Sequence, residues 1–248
     1  MAKLRDIVSF LNRELRLGRF DEDSINGVQF KGSADVSTVS FAVDACLDAF
    51  EKAKGELLIV HHGLFWKKSM PIKIDAMWKK RFDTLKRKRL SLYAAHLPLD
   101  AHPRLGNNAE MARRLGVKNL RLFAAYGGIK CGLAGELPVA LPLRVLAKRV
   151  EKAVGGKARV FAFGKARVRR VGLVTGGGGF GVLDAKCGDV LVTGEFGHSK
   201  YHFAKEKGVN VIAAGHYKTE KLGLEALESV LREKFGVKTE FVESPTGL

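Results

Sequence analysis

The sequence predicts an α/β fold with two interwoven lobes, and three observations support this prediction. Apolar runs of strand-like composition alternate with amphipathic helical patterns along most of the 248 residues. The apolar runs are nearly continuous, which is typical of strands that are buried on both faces. No linker rich in Pro, Gly or Ser divides the chain, so we expect the two lobes to share chain segments rather than to follow one another.

The alternation assigns elements in order from the amino terminus. The chain opens with an amphipathic helix over LRDIVSFLNREL (4–15), whose apolar residues have helical spacing. Strands are predicted at 39–43, 56–60, 90–95, 170–174, 189–193 and 209–214, and helices at 44–54, 73–88, 107–115, 142–154, 199–207 and 219–235.

The middle of the chain departs from this alternation. GGIKCGLAGELP and the short ARVFAFG indicate a smaller β-rich region between about 127 and 170. We therefore expect a first α/β lobe over 1–126, a smaller inserted lobe over 127–190, and a returning segment over 191–248 that completes the first lobe.

Composition limits the classes of function. Lys and Arg total 43 and Asp and Glu total 26, a net charge of +17 that favours anionic partners such as nucleotides or nucleic acid. The densest basic segment, 78–89, has apolar residues at helical spacing, which is more typical of a solvated helix face than of a nucleic-acid reader. No apolar run approaches the roughly 18 residues of a membrane span, and the amino terminus MAKLRDIVSF lacks the unbroken apolar stretch that a signal peptide has. We expect a cytoplasmic protein without a membrane partner.

Cysteine usage argues against a thiolate metal site. The three cysteines are widely scattered, with no CxxC spacing, so neither a disulfide framework nor a cysteine-bound zinc is expected.

Four of the seven histidines directly follow predicted strands. His61 and His62 follow ELLIV, His96 follows LSLYAA, and His216 follows VNVIAAG. In open α/β sheets, ligands bind at the carboxyl ends of the strands, so we expect the four rings at one sheet edge. Because adjacent residues of a strand point to opposite faces, His61 and His62 are expected in the turn that follows, where Gly63 relieves the backbone.

Carboxylates accompany these histidines. HLPLD ends at Asp100, and HYKTE ends at Glu220, four residues after His216 and on the same face of a predicted helix. Imidazole with carboxylate suits Zn, Fe, Mn, Co or Ni, and two-metal sites hold their ions about 3.5–4 Å apart. Glu220 or Asp100 could bridge two such ions, and the longer reach of Glu220 favours it.

Each of these residues also has a structural explanation. A single histidine after a strand is more often a hydrogen-bonded loop residue than a ligand. Asp100 fits a helix cap, and Glu220 fits a carboxylate that complements a helix dipole. Six such residues at three strand ends are harder to explain as independent structural features, and this favours the metal site.

Weaker signals lie elsewhere in the chain. Glu195 and His198 in GEFGH also follow a predicted strand, and both a surface role and a role beside the metals fit them. His202 could share a helix face with His198, whereas His102 is expected in a solvated loop. The glycine run 176–179 follows a predicted strand, as a phosphate-binding loop does, but it lacks the phosphate-loop motif. The polar residues Asn26 and Gln29 could orient a ligand, although turn chemistry also explains Asn26.

Five stretches in this order resemble the Nif-three-like family of dinuclear-metal proteins, often labelled GTP cyclohydrolase type 2 homologues. They are NGVQF, IVHHGLFW, YAAHLPLD, GEFGH and AGHYKTEKLGLEAL. The resemblance implies two divalent metal ions per subunit, a two-lobed α/β subunit and a toroidal homo-hexamer. It also implies a ligand set, with Glu220 contacting both ions and His96 beside them; the ligands are His61, His62, Asp100, His216 and Glu220.

Three functions fit this sequence. The first is a metal-dependent hydrolase acting on a nucleotide or related heterocycle, with a proton carried by His96 or His198 and phosphate held by the basic charge. The family label implies the specific version, opening of the guanine five-membered ring of GTP. The alternatives are a non-catalytic metal-handling protein and a basic, ring-shaped nucleic-acid-binding or regulatory assembly.

Overall fold

The computed structural model describes residues 1–247 and has the predicted mixed α/β architecture. The helices are α1 (Leu4–Glu14), α2 (Leu47–Lys52), α3 (Ala76–Arg87), α4 (Leu97–Asp100), α5 (Asn107–Leu115), α6 (Leu143–Val154), α7 (His198–Lys207) and α8 (His216–Phe235). The strands are β1 (Ala2–Lys3), β2 (Gly27–Phe30), β3 (Asp35–Val36), β4 (Thr38–Asp44), β5 (Leu57–His62), β6 (Ser91–Ala94), β7 (Lys118–Tyr126), β8 (Ile129–Pro142), β9 (Arg159–Phe161), β10 (Arg167–Val174), β11 (Val190–Thr193), β12 (Asn210–Ala213) and β13 (Lys238–Phe241).

Every helix and strand predicted from periodicity is present within a few residues of its expected bounds. Outside the β-rich middle, the elements that periodicity did not predict are short or at sheet edges: β1, β2, β3, α4, β7 and β13. The β-rich middle predicted at about 127–170 contains the long strand β8 and the short β9, and β8 pairs antiparallel with β7, which precedes this region. None of the helices within residues 1–247 is both long enough and apolar enough to span a membrane.

The chain forms two compact units, each built from separate segments. Unit 1 comprises residues 1–99 and 224–244, and unit 2 comprises residues 100–223 and the described residues from 245 onward. The expected boundaries at 126/127 and 190/191 do not coincide with this division, because residues 127–190 belong to unit 2 together with the segments on either side. The physical reason is that β7 and β8 pair into the same sheet as β10, β11 and β12.

Unit 1 contains a five-stranded sheet in the order β13-β4-β5-β6-β2. The four strands from β13 to β6 are parallel, and β2 is an antiparallel edge strand. Phe50, Leu58, Leu85 and Leu92 are fully buried in its core, where α2 and α3 pack against one another. The Asp75 side chain caps α3 by accepting from Trp78 N (3.0 Å). Four of the five basic residues of this helix are exposed, in keeping with the solvated-face interpretation, and Arg81 is half-buried over the Trp78 ring.

Unit 2 contains a six-stranded sheet in the order β7-β8-β10-β11-β12-β9. Its centre, β10 to β12, is parallel, and its flanks are antiparallel. The core includes Leu146, Val171, Leu173 and Ile212, all fully buried beneath α5 and α6. The strand ends that carry candidate ligands therefore belong to two sheets, and the expectation of a single sheet edge is wrong.

Candidate metal centre

Three histidine rings meet at the carboxyl ends of β5 and β6 in unit 1. These strands are parallel neighbours, with Val60 paired to Ala94, so the residues that end them lie side by side. The ring centroid of His61 lies 4.8 Å from that of His62 and 5.1 Å from that of His96, and His62 and His96 are 5.6 Å apart. One nitrogen from each ring lies within 4.8 Å of the other two, so the three rings form a group that could hold a metal ion. We call these residues the histidine group.

The backbone at this group differs from the expected turn. His61 and His62 are the last two residues of β5 itself, and His62 pairs with Asp44 across the ladder. The prediction that both lie in the following turn is wrong, because pairing with β4 extends the strand to its second histidine.

Each ring of the histidine group has an acceptor at its Nδ1 atom. His61 Nδ1 lies 2.9 Å from Ala95 O, His62 Nδ1 lies 2.8 Å from Asp44 Oδ1, and His96 Nδ1 contacts Glu22 Oε2. An acceptor at Nδ1 holds the ring proton there and leaves the Nε2 lone pair as the metal-binding atom. This outer arrangement is the one that histidine ligands of metal ions commonly have.

Glu22 is the more buried of the two carboxylate acceptors. Its side chain is 3% exposed, and its Oε1 accepts from Asn26 Nδ2 (2.7 Å) and Leu97 N (3.0 Å). Asn26 in turn accepts from His96 N at 2.7 Å. Asn26 was singled out from the sequence, whereas Glu22 and Asp44 were not. The position of Asp44 at the end of β4, beside His62, is the signal that could have found it.

The backbone after the histidine group is fixed by Gln29 and Gly63. Gln29 Nε2 donates to Ile25 O (2.6 Å), and its Oε1 accepts from Leu64 N (2.6 Å). A Cβ atom on Gly63 would stand 2.3 Å from Gln29 Nε2 and 2.7 Å from Ala94 Cβ, so a larger residue here would displace the Gln29 side chain. Trp66 donates to Gly63 O and meets the His96 ring edge-on, with centroids 5.1 Å apart. Gln29 therefore supports the loop, which is the structural role rather than the ligand-orienting one.

His216 and Glu220 form a second group, in unit 2. They lie four residues apart on α8, and His216 Nε2 is 3.0 Å from Glu220 Oε2, which confirms the predicted shared face. His216 Nδ1 lies 2.7 Å from Glu195 Oε1. Burial would lower the pKa of His216, but the hydrogen bonds and charges of Glu220 and Glu195 outweigh burial and raise this pKa to about 9.

Asp100 is buried in unit 2 and is held by neutral donors. Its Oδ1 atom accepts from Asn107 Nδ2 (2.8 Å) and lies 3.4 Å from Thr175 Oγ1. Asn107 is itself fixed, because its Oδ1 accepts from Gly223 N (2.7 Å) on α8. Neutral donors leave the carboxylate with its negative charge, which a cation requires. Asn107 and Thr175 were not found from the sequence.

Gly176 forms a cradle for the Glu220 carboxylate. A Cβ atom at Gly176 would stand 1.8 Å from Glu220 Oε1 and 3.2 Å from His216 Nε2, and the Gly176 backbone has φ +60°. Its N–H donates to Thr219 Oγ1 (3.0 Å). The glycine run 176–179, interpreted from the sequence as a weak phosphate-loop signal, therefore also makes room for the candidate ligands.

The residues present fit divalent metal ions. All the side chains offer nitrogen or oxygen atoms, which suits the borderline and harder transition ions. The 3.0 Å between His216 Nε2 and Glu220 Oε2 matches the separation of about 3 Å that two ligand atoms show when each is about 2.1 Å from one ion.

The other histidines lie outside these groups. His198 is exposed in the first turn of α7, with its ring 6.5 Å from that of His202. Within the described chain, the groups of side chains that could hold a metal ion do not include either residue. His102, expected to be solvated, is instead buried and accepts from Leu105 N (2.9 Å), so that expectation is wrong.

The fold and these groups define a class: an α/β protein with histidine and carboxylate groups that could bind metal ions. The chain belongs to the Duf34/NIF3 (NGG1p interacting factor 3) family, whose profile matches residues 2–246. This confirms the resemblance recognised in the sequence.

Relatives of known name or structure match over almost the whole chain. A protein of Pyrococcus abyssi (strain GE5 / Orsay) is 43% identical over 248 residues, covering 98% of each chain, and one of Archaeoglobus fulgidus is 41% identical, covering 99% of each. Both are named GTP cyclohydrolase 1 type 2 homolog. The crystal structure of TTHA1606 from Thermus thermophilus is 40% identical, covers 100% of both chains and superposes with a TM-score of 0.90. A structure of protein ybgI, described as of unknown function, is 32% identical with a TM-score of 0.89 over 100% of both chains.

Proposed function

We propose that this protein binds two divalent metal ions per subunit and is a hydrolase that acts on a nucleotide or related heterocycle. The proposed ligands are His61, His62, Asp100, His216 and Glu220. The observation that carries the proposal is the histidine group: acceptors at the Nδ1 atoms of His61 and His62 leave each Nε2 atom as the metal-binding atom, and the His96 ring lies beside them.

The remaining ligands supply the negative charge that two cations need. Glu220 is the proposed bridge because it is almost fully buried, with a side chain 4% exposed, and because Gly176 leaves space beside its carboxylate. Asp100 is held by Asn107 and Thr175, which restrict its rotation without neutralising its charge.

Bound divalent ions would activate a water molecule and polarise the bond that is cleaved. The protein residues would then carry the proton. His96 is the first candidate, because Glu22 fixes its Nδ1 atom and leaves Nε2 to exchange a proton with substrate or water. His198 is the second candidate, on the strength of its place in GEFGH and its exposure at the start of α7.

The name of the close relatives suggests a particular reaction. GTP cyclohydrolase chemistry would open the guanine five-membered ring with release of formate, and hydrolysis of phosphate esters suits the same ligands. We also propose a homo-hexamer in the cytoplasm that takes phosphate-bearing small molecules; nucleic acid is the alternative partner for the +17 charge. Light scattering coupled to size-exclusion chromatography tests the hexamer, and any other mass contradicts it.

The proposal is tested by elemental analysis of the untagged protein, followed in the same sample by a hydrolysis screen over GTP, other nucleotides and phosphate esters. We expect close to two ions per subunit and a turnover that a chelator abolishes and added metal restores. Two ions without turnover on any compound would overturn the hydrolase and favour metal handling. Absence of bound or bindable metal would overturn the whole proposal.

Matched variants make the ligand assignment testable. Glu220→Gln and His216→Ala should lose bound metal and keep their circular dichroism spectra. Glu228→Gln on the same helix removes an equal charge from a residue outside the ligand set, and it should keep both metal and turnover. Unchanged metal content in the first two variants would contradict the assignment.

A further inference from the structure

A basic cavity in unit 2 lies directly beside the segment that carries His216. Its volume is about 510 Å³, within the range of small-molecule pockets. Three cationic side chains line it, Lys157, Arg159 and Lys218, together with backbone of Gly215 at the carboxyl end of β12 and the chain at Pro245. Among the described residues 1–247, no Asp or Glu side chain lines the cavity.

The cations are held at the cavity by local structure. A Cβ atom on Gly156 would stand 2.2 Å from Lys218 Nζ, so the absence of a side chain at Gly156 lets the ammonium group lie against that backbone. The Arg159 guanidinium lies over the Phe161 ring, 4.7 Å from its centroid. Within the described residues, neither Arg159 nor Lys218 forms a salt bridge with a carboxylate. Because both side chains line the cavity, an occupant would meet their charge.

The position of the cavity connects it to the proposed metal ligands. Gly215 and Tyr217 both line it, and His216 stands between them in sequence. The first N–H groups of α8 lie at the same place and add positive potential. An anion bound here would therefore contact residues that adjoin the proposed ligand His216 in sequence.

We propose that this cavity binds the phosphate groups of the substrate, which makes that substrate a phosphate-bearing small molecule such as a nucleoside polyphosphate. The proposal deepens the proposed function and rests on it for the existence of a substrate. A pocket of this volume with three clustered cations suits a compact polyphosphate better than an extended nucleic-acid backbone, which needs a basic stripe along a surface.

The test is calorimetric titration of the as-purified, full-length protein with sodium tripolyphosphate. Arg159→Gln/Lys218→Gln is compared with the control Lys152→Gln/Lys205→Gln, which removes two exposed lysines from outside the cavity lining. We expect the dissociation constant to rise on the order of tenfold or more in the cavity variant, because each lost contact is charge-assisted. The control should stay within about twofold, since long-range charge is screened.

Three results would overturn the proposal. The first is equal affinity in the cavity and control variants. The second is tripolyphosphate binding that disappears on chelation and ignores the cavity variant, since the anion would then be on the metal ions. The third is tighter binding of a single-stranded oligonucleotide than of tripolyphosphate with the same sensitivity to the variant. If the double variant does not fold by circular dichroism, Lys218→Gln alone replaces it.

The failure of this proposal can be distinguished from failure of the hydrolase. If the protein binds tripolyphosphate through Arg159 and Lys218 but turns over no compound, the cavity is an anion site and the hydrolase proposal is wrong. If turnover and KM are unchanged in the cavity variant, the hydrolase proposal stands and the phosphate-site proposal is wrong. Metal content, measured on each variant, should equal that of the unaltered protein.

Discussion

Gly176 and Glu220 are in contact in a way that no larger residue at position 176 would permit. The Cβ atom of an alanine there would stand 1.8 Å from Glu220 Oε1, and the backbone has φ +60°. A substitution at Gly176 therefore acts on the carboxylate that is proposed to bridge the ions.

Gly176→Ala should lower metal affinity by about 10- to 100-fold, as loss of a supporting contact commonly does, because Glu220 must rotate away. The left-handed backbone should also cost about 1–2 kcal/mol of unfolding free energy. Competition of the purified variant with a metal indicator, together with urea unfolding, measures both effects.

Gly177→Ala is the matched control. Gly177 has φ −70°, and its nearest neighbour to an added Cβ atom is His216 Cε1 at 3.9 Å, an ordinary contact. This variant should keep its metal affinity, and its stability should change by less than about 1 kcal/mol. Equal loss of metal in both variants would show that the cradle at Gly176 is not specific.

The pairing of Asp44 with His62 gives a second prediction. Asp44→Asn should weaken metal binding by about 10- to 100-fold, because an amide does not hold the ring proton at Nδ1 as a carboxylate does. Asp83→Asn removes the same charge from an exposed position on α3 and should leave binding unchanged. Retention of full affinity in Asp44→Asn would show that this hydrogen bond does not orient His62.

Strand ends explain why part of the site was predictable from the sequence. His61 and His96 follow apolar runs, and parallel pairing of β5 with β6 brings such residues together. The shared face of His216 and Glu220 follows from helical spacing alone. These are local patterns that a sequence displays directly.

The rest of the site depends on pairing between distant segments. Glu22 reaches His96 across 74 residues, and Asn107 reaches Gly223 across 116 residues, so no local pattern connects them. Sheet membership is equally non-local. Periodicity indicates that β6 and β12 are strands but not that they belong to different sheets, which explains the wrong prediction of one edge.

Asp189 gives a prediction about stability and pH. Its Oδ2 atom accepts from Arg169 N (3.0 Å) and Arg170 N (2.9 Å), and the Arg170 guanidinium lies 3.0 Å from Oδ1. Burial would raise the pKa of Asp189, but these hydrogen bonds and the Arg170 charge outweigh burial and lower it. The contribution of this carboxylate to stability is therefore complete above the unfolded pKa of about 4 and is lost as pH falls through the lower folded pKa.

Asp189→Asn should cost about 1–3 kcal/mol of unfolding free energy at pH 7, because the amide replaces one acceptor oxygen with a donor. The difference from the unaltered protein should shrink towards pH 3 and below. Urea unfolding across this pH range measures it, with Glu206→Gln, an exposed residue of α7, as the control. A difference that is constant with pH would contradict the role of the ionised form.

The cysteines should differ in reactivity by several orders of magnitude. Burial first, and then the charge of Asp184, raise the pKa of the Cys187 thiol to about 12, against a smaller opposing effect of Lys207. At pH 8 only about one Cys187 in 10⁴ would be the reactive thiolate, and Cys131 is 5% exposed. Cys46 is half-buried at the start of α2 and is the accessible thiol.

Titration of the native protein with dithionitrobenzoate should therefore show one fast thiol, which Cys46→Ser removes, and three in denaturant. Rapid reaction of Cys187 in the folded protein would contradict the packing around β10 and β11, because the thiol is reachable there only if that core opens.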